Sequence, residues 1–411
     1  MSAPAAVTGL GPVSPIGTGV ERFWTSLLEG RSGLGALRRF SARSRACGVA
    51  AEVNDPPAEV LDVHRSLPRA VELALTAARL AWEDAGSTAG RDRVGVIVGT
   101  GLGNLDLVEA VAGLPSTVRP PPNAAFRAFA HAAAVEVSRA LDLRGPLATL
   151  SSGCNSGMDA LGLALDWIRL GRADTVLVGG VEAELTPLFF SVMSAARAFA
   201  VRFNEEPHAA MRPFDANRDG NVPGEGAGFL VLESLPLATA RGAHIRARIE
   251  GFGCRAAGQR VAYDPFNPIY DTDPMERAMR AAVADASISE REISAISANG
   301  SSSVFYDALE AAAIGAVFGE RGTPVHSVKS VLGQAGAVTP ALQAIAAVLA
   351  VEHGVIPPTM NVGALDPRCA LDLVRDRPRA APLRHVLANA IGFGGAYYAS
   401  LVVGSGAGVS G

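Results

Sequence analysis

Residues 150–180 read LSSGCNSGMDALGLALDWIRLGRADTVLVGG, and the reading of this stretch decides the fold. Small residues bracket one cysteine, Cys154, and Gly153 and Gly157 are expected to let the backbone turn sharply beside it. A helix with Met158, Leu161, Leu163, Leu165, Trp167, Ile168 and Leu170 follows, so apolar that it must lie mostly inside the protein. Thr175–Val178 then reads as a buried strand closing on Gly179–Gly180. The helix start beside Cys154 offers unpaired backbone N–H groups and the positive end of the helix dipole. Such a setting is expected to lower the thiol pKa and favour the nucleophilic thiolate. The plainer alternative is that Cys154 is a small buried hydrophobe.

Working outward, strands alternate with apolar helices along the whole chain. In the first half, Val7 opens a short strand and Glu21–Gly30 a helix. Pro68–Ala85 forms a long helix, Arg93–Thr100 a buried strand and Phe126–Leu141 an Ala-rich helix. Pro146–Leu150 is the strand that feeds Cys154. Residues 33–68 read as loops with a short strand at Gly48–Val53, and 116–123 as a Pro-rich surface connection. Residues 181–203, VEAELTPLFFSVMSAARAFAVRF, are apolar without clean periodicity and are expected to line a cavity or an interface. A strand, FLVLE, ends this half.

The second half repeats the plan. His244–Gly251, Ile293–Asn299, Pro324–Ser327, His385–Ala390 and Tyr397–Val403 read as strands. Pro274–Ala286, Asp307–Phe318 and Val338–His353 read as helices, with Lys329–Ala337 as a loop between strand and helix. Alternation of this kind means α/β architecture with helices covering sheet faces. The boundary between the halves is expected at 240/241.

Composition narrows the function. The 411 residues are 49% hydrophobic and 18% charged, so the core is large. A net charge of −4 without any basic block argues against nucleic acid. No run of 18 apolar residues suggests a membrane span and the N-terminus lacks a signal-peptide pattern, so a cytoplasmic protein is expected. Cys47, Cys154, Cys254 and Cys369 are too scattered for a zinc site or disulfide framework. The run DANRDG (215–220) resembles the start of a calcium loop, but Gly226 stands where a bidentate Glu is needed, so no metal is expected. GTGLGN (99–104) lacks the third spaced glycine and the lysine of a phosphate loop. One lysine, Lys329, stands among 36 basic residues. In a chain so biased to arginine, its survival points to a need for an ammonium group; the plainer alternative is chance.

GCNSGMDALGLAL (153–165), PFDANRDGNVPGEGAGFLVLE (213–233), SANGSSSVFYDALE (297–310), VKSVLGQAGA (328–337), GVIPPTMN (354–361) and NAIGFGGAYYASLVV (389–403) together resemble the β-ketoacyl-acyl-carrier-protein synthases, in order and spacing, from Val7 to Val403. The resemblance implies the thiolase fold: two similar halves in five layers, α-β-α-β-α, dimeric, with the active site between the halves. It implies decarboxylative Claisen condensation of acyl groups carried on the phosphopantetheine of an acyl carrier protein, with no further cofactor. Carried over, Cys154 matches the nucleophile and Lys329 the active-site lysine. Phe393, between Gly392 and Gly394, matches a gating phenylalanine whose N–H joins that of Cys154 in an oxyanion hole. Asp307 and Glu310 match an acidic pair, with Glu310 expected to pair with Lys329.

Two departures matter most. The family's two histidines fall at Asn299, in Ser-Ala-Asn-Gly-Ser, and at Gln334, five residues after Lys329. Amides donate hydrogen bonds but neither accept a proton nor become cationic near neutral pH. His326, at a strand end, is a poor substitute. Two functions follow from the resemblance. In the first, which we prefer, Cys154 takes an acyl group and passes it to an alcohol, an amine or an internal carbon, with malonyl decarboxylation impaired. In the second, the chain is a chain-length-factor-type subunit paired with a homologous ketosynthase. The stretch LDLVRDRPRAAPLRH (371–385) resembles such factors, whereas the retained Cys154 argues for the enzyme.

Overall fold

Ten consecutive buried residues, Ala5–Ser14, form β1, the strand on which the first half is built. The computed structural model describes residues 3–406 apart from 42–45, 55–66, 88, 118, 121, 259–270 and 395–396. The first half continues with α1 (Arg69–Ala85), β2 (Val94–Gly99), α2 (Ala132–Ala140), β3 (Leu147–Leu150), α3 (Ser156–Arg169) and β4 (Thr175–Ala183). It closes with α4 (Pro187–Ala195) and β5 (Glu225–Ser234). The second half runs β6 (Ala247–Ala256), α5 (Asp273–Asp285), β7 (Ile293–Ser297), α6 (Tyr306–Phe318) and β8 (Pro324–His326). Then come α7 (Val338–His353), β9 (His385–Ile391) and β10 (Tyr397–Ser405). With α4, the helices Val20–Leu28 and Leu105–Ala112 and a few short turns and strands set aside, both halves follow β-α-β-α-β-α-β-β. We propose the division at 240/241, just before β6.

Strand order repeats as well. β3-β2-β4-β5-β1 in one half mirrors β8-β7-β9-β10-β6 in the other, with Asp372–Leu373 added beyond β8. The β2, β3 and β4 ladders are parallel, as are those of β7, β8 and β9, while β5 and β10 run antiparallel to their neighbours. Among the described residues the two five-stranded groups form one continuous sheet, joined where Ala5–Val7 pairs with Ala247–Ile249. Parallel strands need both faces covered, and the helices supply the cover. α1 and α2 lie on one outer face and α5 and α6 on the other, while α3 and α7 lie between, touching strands of both halves. That arrangement is the five-layered α-β-α-β-α thiolase fold. Fourteen of the 16 residues of α7 are buried, as expected of a helix sandwiched between two sheets.

The layers approach closely where α3 and α7 begin. Gly157 is helical, and the sharp turn expected there belongs to Gly153 alone (φ 67°). Gly157 is required instead for packing, because a Cβ there would run into the Ala337 carbonyl oxygen. The N-termini of the two central helices thus meet, one preceded by Cys154 and the other by Gln334.

Several elements differ from the sequence expectation. The helix expected over 126–141 is broken into Ala124–Arg127 and Ala132–Ala140. Asn104 holds the break: its Nδ2 donates to the Arg127 and Phe129 carbonyls (2.7 and 3.0 Å), and Phe129 O also accepts the Ala132 N–H (3.1 Å), a tighter turn from which the second helix starts. β4 passes through Gly179–Gly180 to Ala183. The stretch 181–203 is not irregular throughout. It contains α4, capped by Thr186 Oγ1 accepting the Phe189 N–H at 3.3 Å. Lys329–Leu332 forms one helical turn. Asp215 accepts the Asn217 and Ala364 N–H groups, and Arg218 reaches Asp366 at 2.7 Å, so DANRDG is tied into the protein. Positions 42–45 and 55–66 of the stretch read as loops, and Gly395 of the GFGG motif, lie outside the described residues.

Candidate active site

β3 delivers the chain to Cys154 through a tight elbow. Gly153 supplies the left-handed turn, and Ser156 Oγ accepts the Ser152 N–H (2.9 Å) while donating to the Gly153 carbonyl (2.6 Å). Ser152 also donates to Asp159, which accepts the Tyr397 hydroxyl at 3.0 Å, while Asn155 Nδ2 holds the Tyr397 carbonyl at 3.0 Å. These bonds clamp the elbow to the start of β10. Cys154 is half-buried and a free thiol, set two residues before α3.

The thiol's charge state departs from the sequence expectation. Burial pushes the Cys154 pKa up, and the nearby Glu184 carboxyl pushes it further. The Phe393 backbone N–H and the Lys329 ammonium pull it down without offsetting the rise. The helix start therefore does not by itself produce a thiolate, because desolvation of the anion is the larger effect. The Phe393 N–H reaches the Cys154 sulfur.

Lys329 is almost fully buried, and its Nζ donates to Asn299 Oδ1 at 2.6 Å. Ile391 N–H donates to the same oxygen at 3.2 Å. With Oδ1 engaged, what Asn299 has left for the cavity it lines is its Nδ2 amide, a donor. Glu310 does not pair directly with Lys329. Its two oxygens accept the Asn299 and Gly300 N–H groups, each at 2.8 Å. Asp307 accepts those of Ser301 and Phe214, also at 2.8 Å each. One turn apart on α6, the two carboxylates hold the backbone after β7, so the amide of Asn299 stands where a direct ion pair was expected. Burial pushes Lys329 down and Glu310 up, weakening both charges.

Gln334 is fixed through its backbone, its N–H donating to Val222 O at 2.7 Å. Its buried Oε1 has no partner. His326 is fully buried with neither ring nitrogen bonded, and burial lowers its pKa to about 4. It stays neutral and does not line the cavity.

That cavity, about 720 Å³, brings Cys154, Asn299, Gln334, Gly392 and Phe393 together. Phe189, Met193, Phe199, Val304 and Phe305 form its apolar wall, so residues 181–203 line a cavity as one of the two expectations had it. Phe393 is 45% exposed, and Gly394 (φ 90°) turns the chain after it. Lys329, Asp307 and Glu310 sit behind the wall.

Two carboxyls escaped the sequence reading. Glu182 and Glu184 flank the end of β4, are both buried and line the cavity. Glu182 accepts the Gly101 and Leu102 N–H groups (2.7 and 3.1 Å), the Thr100 hydroxyl (3.2 Å) and the Ala337 N–H (3.3 Å). The glycine loop after β2 thus cradles the protein's own carboxylate. The available signal was a pair of acids in VEAEL, closing an otherwise uncharged strand.

A cysteine elbow at the junction of two βαβαβαββ halves, opening on an apolar cavity, defines a ketosynthase-type thiolase-fold protein. The chain belongs to the β-ketoacyl synthase family: the family's N-terminal domain matches residues 2–238 and its C-terminal domain 246–363. It is similar to 3-oxoacyl-(acyl-carrier-protein) synthase 2 of Coxiella burnetii, 37% identical over 95% of each chain. The tetracenomycin polyketide synthase ketoacyl synthase alpha subunit of Streptomyces glaucescens is 34% identical over 95% of this chain and 94% of its own. Among solved structures, a type II polyketide ketosynthase in complex with its acyl carrier protein superposes with a TM-score of 0.90 at 31% identity, covering 98% of this chain and all of its own. The ishigamide ketosynthase/chain length factor superposes with a TM-score of 0.87 at 35% identity, over 99% and 100%. The protein is accordingly ketosynthase-like, of the polyketide and fatty-acid type.

Proposed function

We propose that Cys154 accepts an acyl group from a carrier-protein thioester and transfers or cyclises it, with decarboxylative condensation impaired. The observation that carries this reading is the convergence of the Cys154 thiol, the Phe393 N–H and the Asn299 and Gln334 amides on one cavity. Acylation needs a nucleophilic sulfur and donors for the developing oxyanion. The Phe393 N–H supplies one donor and the Asn299 amide, steadied by Lys329, another. Decarboxylation of a malonyl thioester calls in addition for groups that stabilise an enolate and handle protons. Two amides only donate hydrogen bonds, and His326 is sealed away and neutral. Missing acid–base groups typically cost about 10²–10⁴-fold each.

The substrate is taken to arrive on phosphopantetheine, since one solved relative is a ketosynthase in complex with its acyl carrier protein. A partner subunit, identical or homologous, fits the free edge of β3, the terminal strand of its sheet, where Leu147 is exposed and Phe126 and Phe129 stand nearby in sequence, also exposed. No helix among the described residues is long and apolar enough to cross a membrane, and a cytoplasmic setting is part of the proposal. A second reading, a chain-length-factor-type subunit, is favoured by the raised Cys154 pKa and by the likeness to a ketosynthase/chain length factor structure.

Intact-protein mass spectrometry after incubation with acyl-carrier-protein thioesters separates the two. An acyl adduct absent from Cys154→Ala supports transfer. No adduct, with co-purification of a histidine-complete homologue, supports the second reading and refutes the first.

A further inference from the structure

The transfer reading leaves one chemical need unmet. Cys154 is held as a neutral thiol, and its proton must leave as the sulfur attacks. Neither Asn299 nor Gln334 can accept it, and Lys329 holds its hydrogen toward Asn299 Oδ1. The remaining titratable groups that line the cavity are Glu182, Glu184, Arg197, Asp219, Tyr306 and Tyr397. Glu182 is occupied by four donors. Asp219 takes the Val201 and Arg202 N–H groups on Oδ2, each at 3.0 Å, and its Oδ1 is unpartnered, but its charge acts on the Cys47 thiol and is not among those that act on Cys154. Tyr397 gives its hydroxyl to Asp159. Arg197 and Tyr306 are an ever-protonated cation and a weak phenolic acid, neither of them a base near neutral pH.

Glu184 differs from all of these. It is 4% exposed and takes no side-chain donor among the described residues, and the nearby Gly224 N–H, which eases its charge, donates to Gln334 O at 3.0 Å. Its position is fixed beside the loop that leads into α7, since a Cβ built on Gly336 would lie 2.9 Å from Glu184 Oε2 and 2.8 Å from Glu182 Oε2. Only a glycine at 336 leaves room for the carboxyl. Glu184 follows β4 directly as Gly392 follows β9, so the two halves present a carboxyl and the Phe393 loop to Cys154 from equivalent strand ends. Glu184 acts on the thiol electrostatically, and the unpartnered Gln334 Oε1 shares the cavity.

We infer that Glu184 is the general base and acid of this site, moving the proton of Cys154 in place of the absent histidines. The inference rests on the acyl-transfer reading above. In the first half-reaction, the Glu184 carboxylate takes the Sγ proton as sulfur bonds to the thioester carbonyl carbon. The tetrahedral intermediate collapses, the carbon–sulfur bond to phosphopantetheine breaks, and the departing thiolate takes the proton from the Glu184 carboxyl. One thioester is exchanged for another, with no change in oxidation state. In the second, Glu184 takes the proton of an alcohol or amine as its oxygen or nitrogen bonds to the acyl carbon, the carbon–sulfur bond to Cys154 breaks, and the leaving Sγ takes the proton back. The acceptor class is therefore a protic oxygen or nitrogen nucleophile. Burial and the neighbouring Glu182 raise the Glu184 pKa well above an ordinary carboxyl, toward the range in which a base is most effective.

The test compares wild type, Glu184→Gln and Glu184→Asp by two rates measured against pH: acylation of Cys154 by an acyl-carrier-protein thioester, and alkylation by iodoacetamide. Removing the carboxylate relieves its repulsion of the thiolate, so Glu184→Gln should alkylate faster than wild type near neutral pH. Acylation should move the opposite way, slowing by roughly 10²-fold or more with loss of one limb of the pH profile, and Glu184→Asp should keep that limb. If Glu184→Gln acylates as fast as wild type, or faster in step with alkylation, Glu184 merely repels the thiolate and the inference falls while transfer stands. Failure of wild type itself to acylate overturns both.

Discussion

His326 offers a quantitative test of where proton chemistry is absent. Its imidazole is completely buried at the end of β8, neither ring nitrogen has a partner, and its pKa falls from 6.5 to about 4. The unfolded chain takes up a proton near pH 6.5 that the folded protein refuses until about pH 4. The stability that this group contributes is therefore complete above pH 6.5 and is lost as pH falls from 6.5 to 4. The gap between those values, at 1.36 kcal/mol per pH unit, amounts to about 3 kcal/mol. A His326→Leu variant of similar volume keeps the backbone bond in which His326 O accepts the Ala298 N–H at 2.8 Å and removes the titrating group. Urea unfolding of both proteins at pH 7 and at pH 4.5 isolates the effect, since the other titrating groups are common to both. The wild type should lose about 2–3 kcal/mol more than the variant across this interval. Equal losses would refute the account of His326 as a sealed, neutral ring. A variant with normal stability but no Cys154 acylation would refute its exclusion from the chemistry.

The other predictions concern the site itself. Gly157→Ala places a methyl group against the Ala337 carbonyl and should cost about 1–3 kcal/mol of stability, read by denaturant unfolding, while slowing Cys154 alkylation as the elbow shifts. Lys329→Met removes a charge that lowers the Cys154 pKa. Iodoacetamide alkylation at neutral pH should slow by roughly tenfold for each pH unit by which the thiol rises. Placing histidines at both Asn299 and Gln334 should raise malonyl decarboxylation, measured as carbon dioxide release; no gain would mean that the pocket differs in more than these two side chains.

Much of the fold was legible because its signals are local. The small-residue elbow before an apolar helix, repeated in the second half, is set by residues within a few turns of one another, and the structure places strands and helices where that repeat puts them. The broken helix at 124–140 was not legible. Asn104, which holds the break, lies about 20 residues upstream and acts only once the chain has folded. α4 escaped because it is apolar on all sides, leaving no periodic contrast to read. Within the site, Cys154, Asn299, Gln334 and Phe393, picked out through the family resemblance, line one cavity. The direction of the thiol's pKa did not follow, since a helix start is visible in sequence but the depth of burial is not. Glu184 was missed because an acid at a strand end reads as solvated until the opposite half closes over it.

The most direct test of the central claim follows a single acyl group. Protein loaded on Cys154 with an acyl chain is mixed with malonyl-carrier protein, and the adduct and carrier-bound products are followed by mass spectrometry. The account predicts complete loading with little or no two-carbon extension, and release of the chain when a protic acceptor is supplied. Rapid formation of the β-ketoacyl product, extended by two carbons with loss of carbon dioxide, would contradict it.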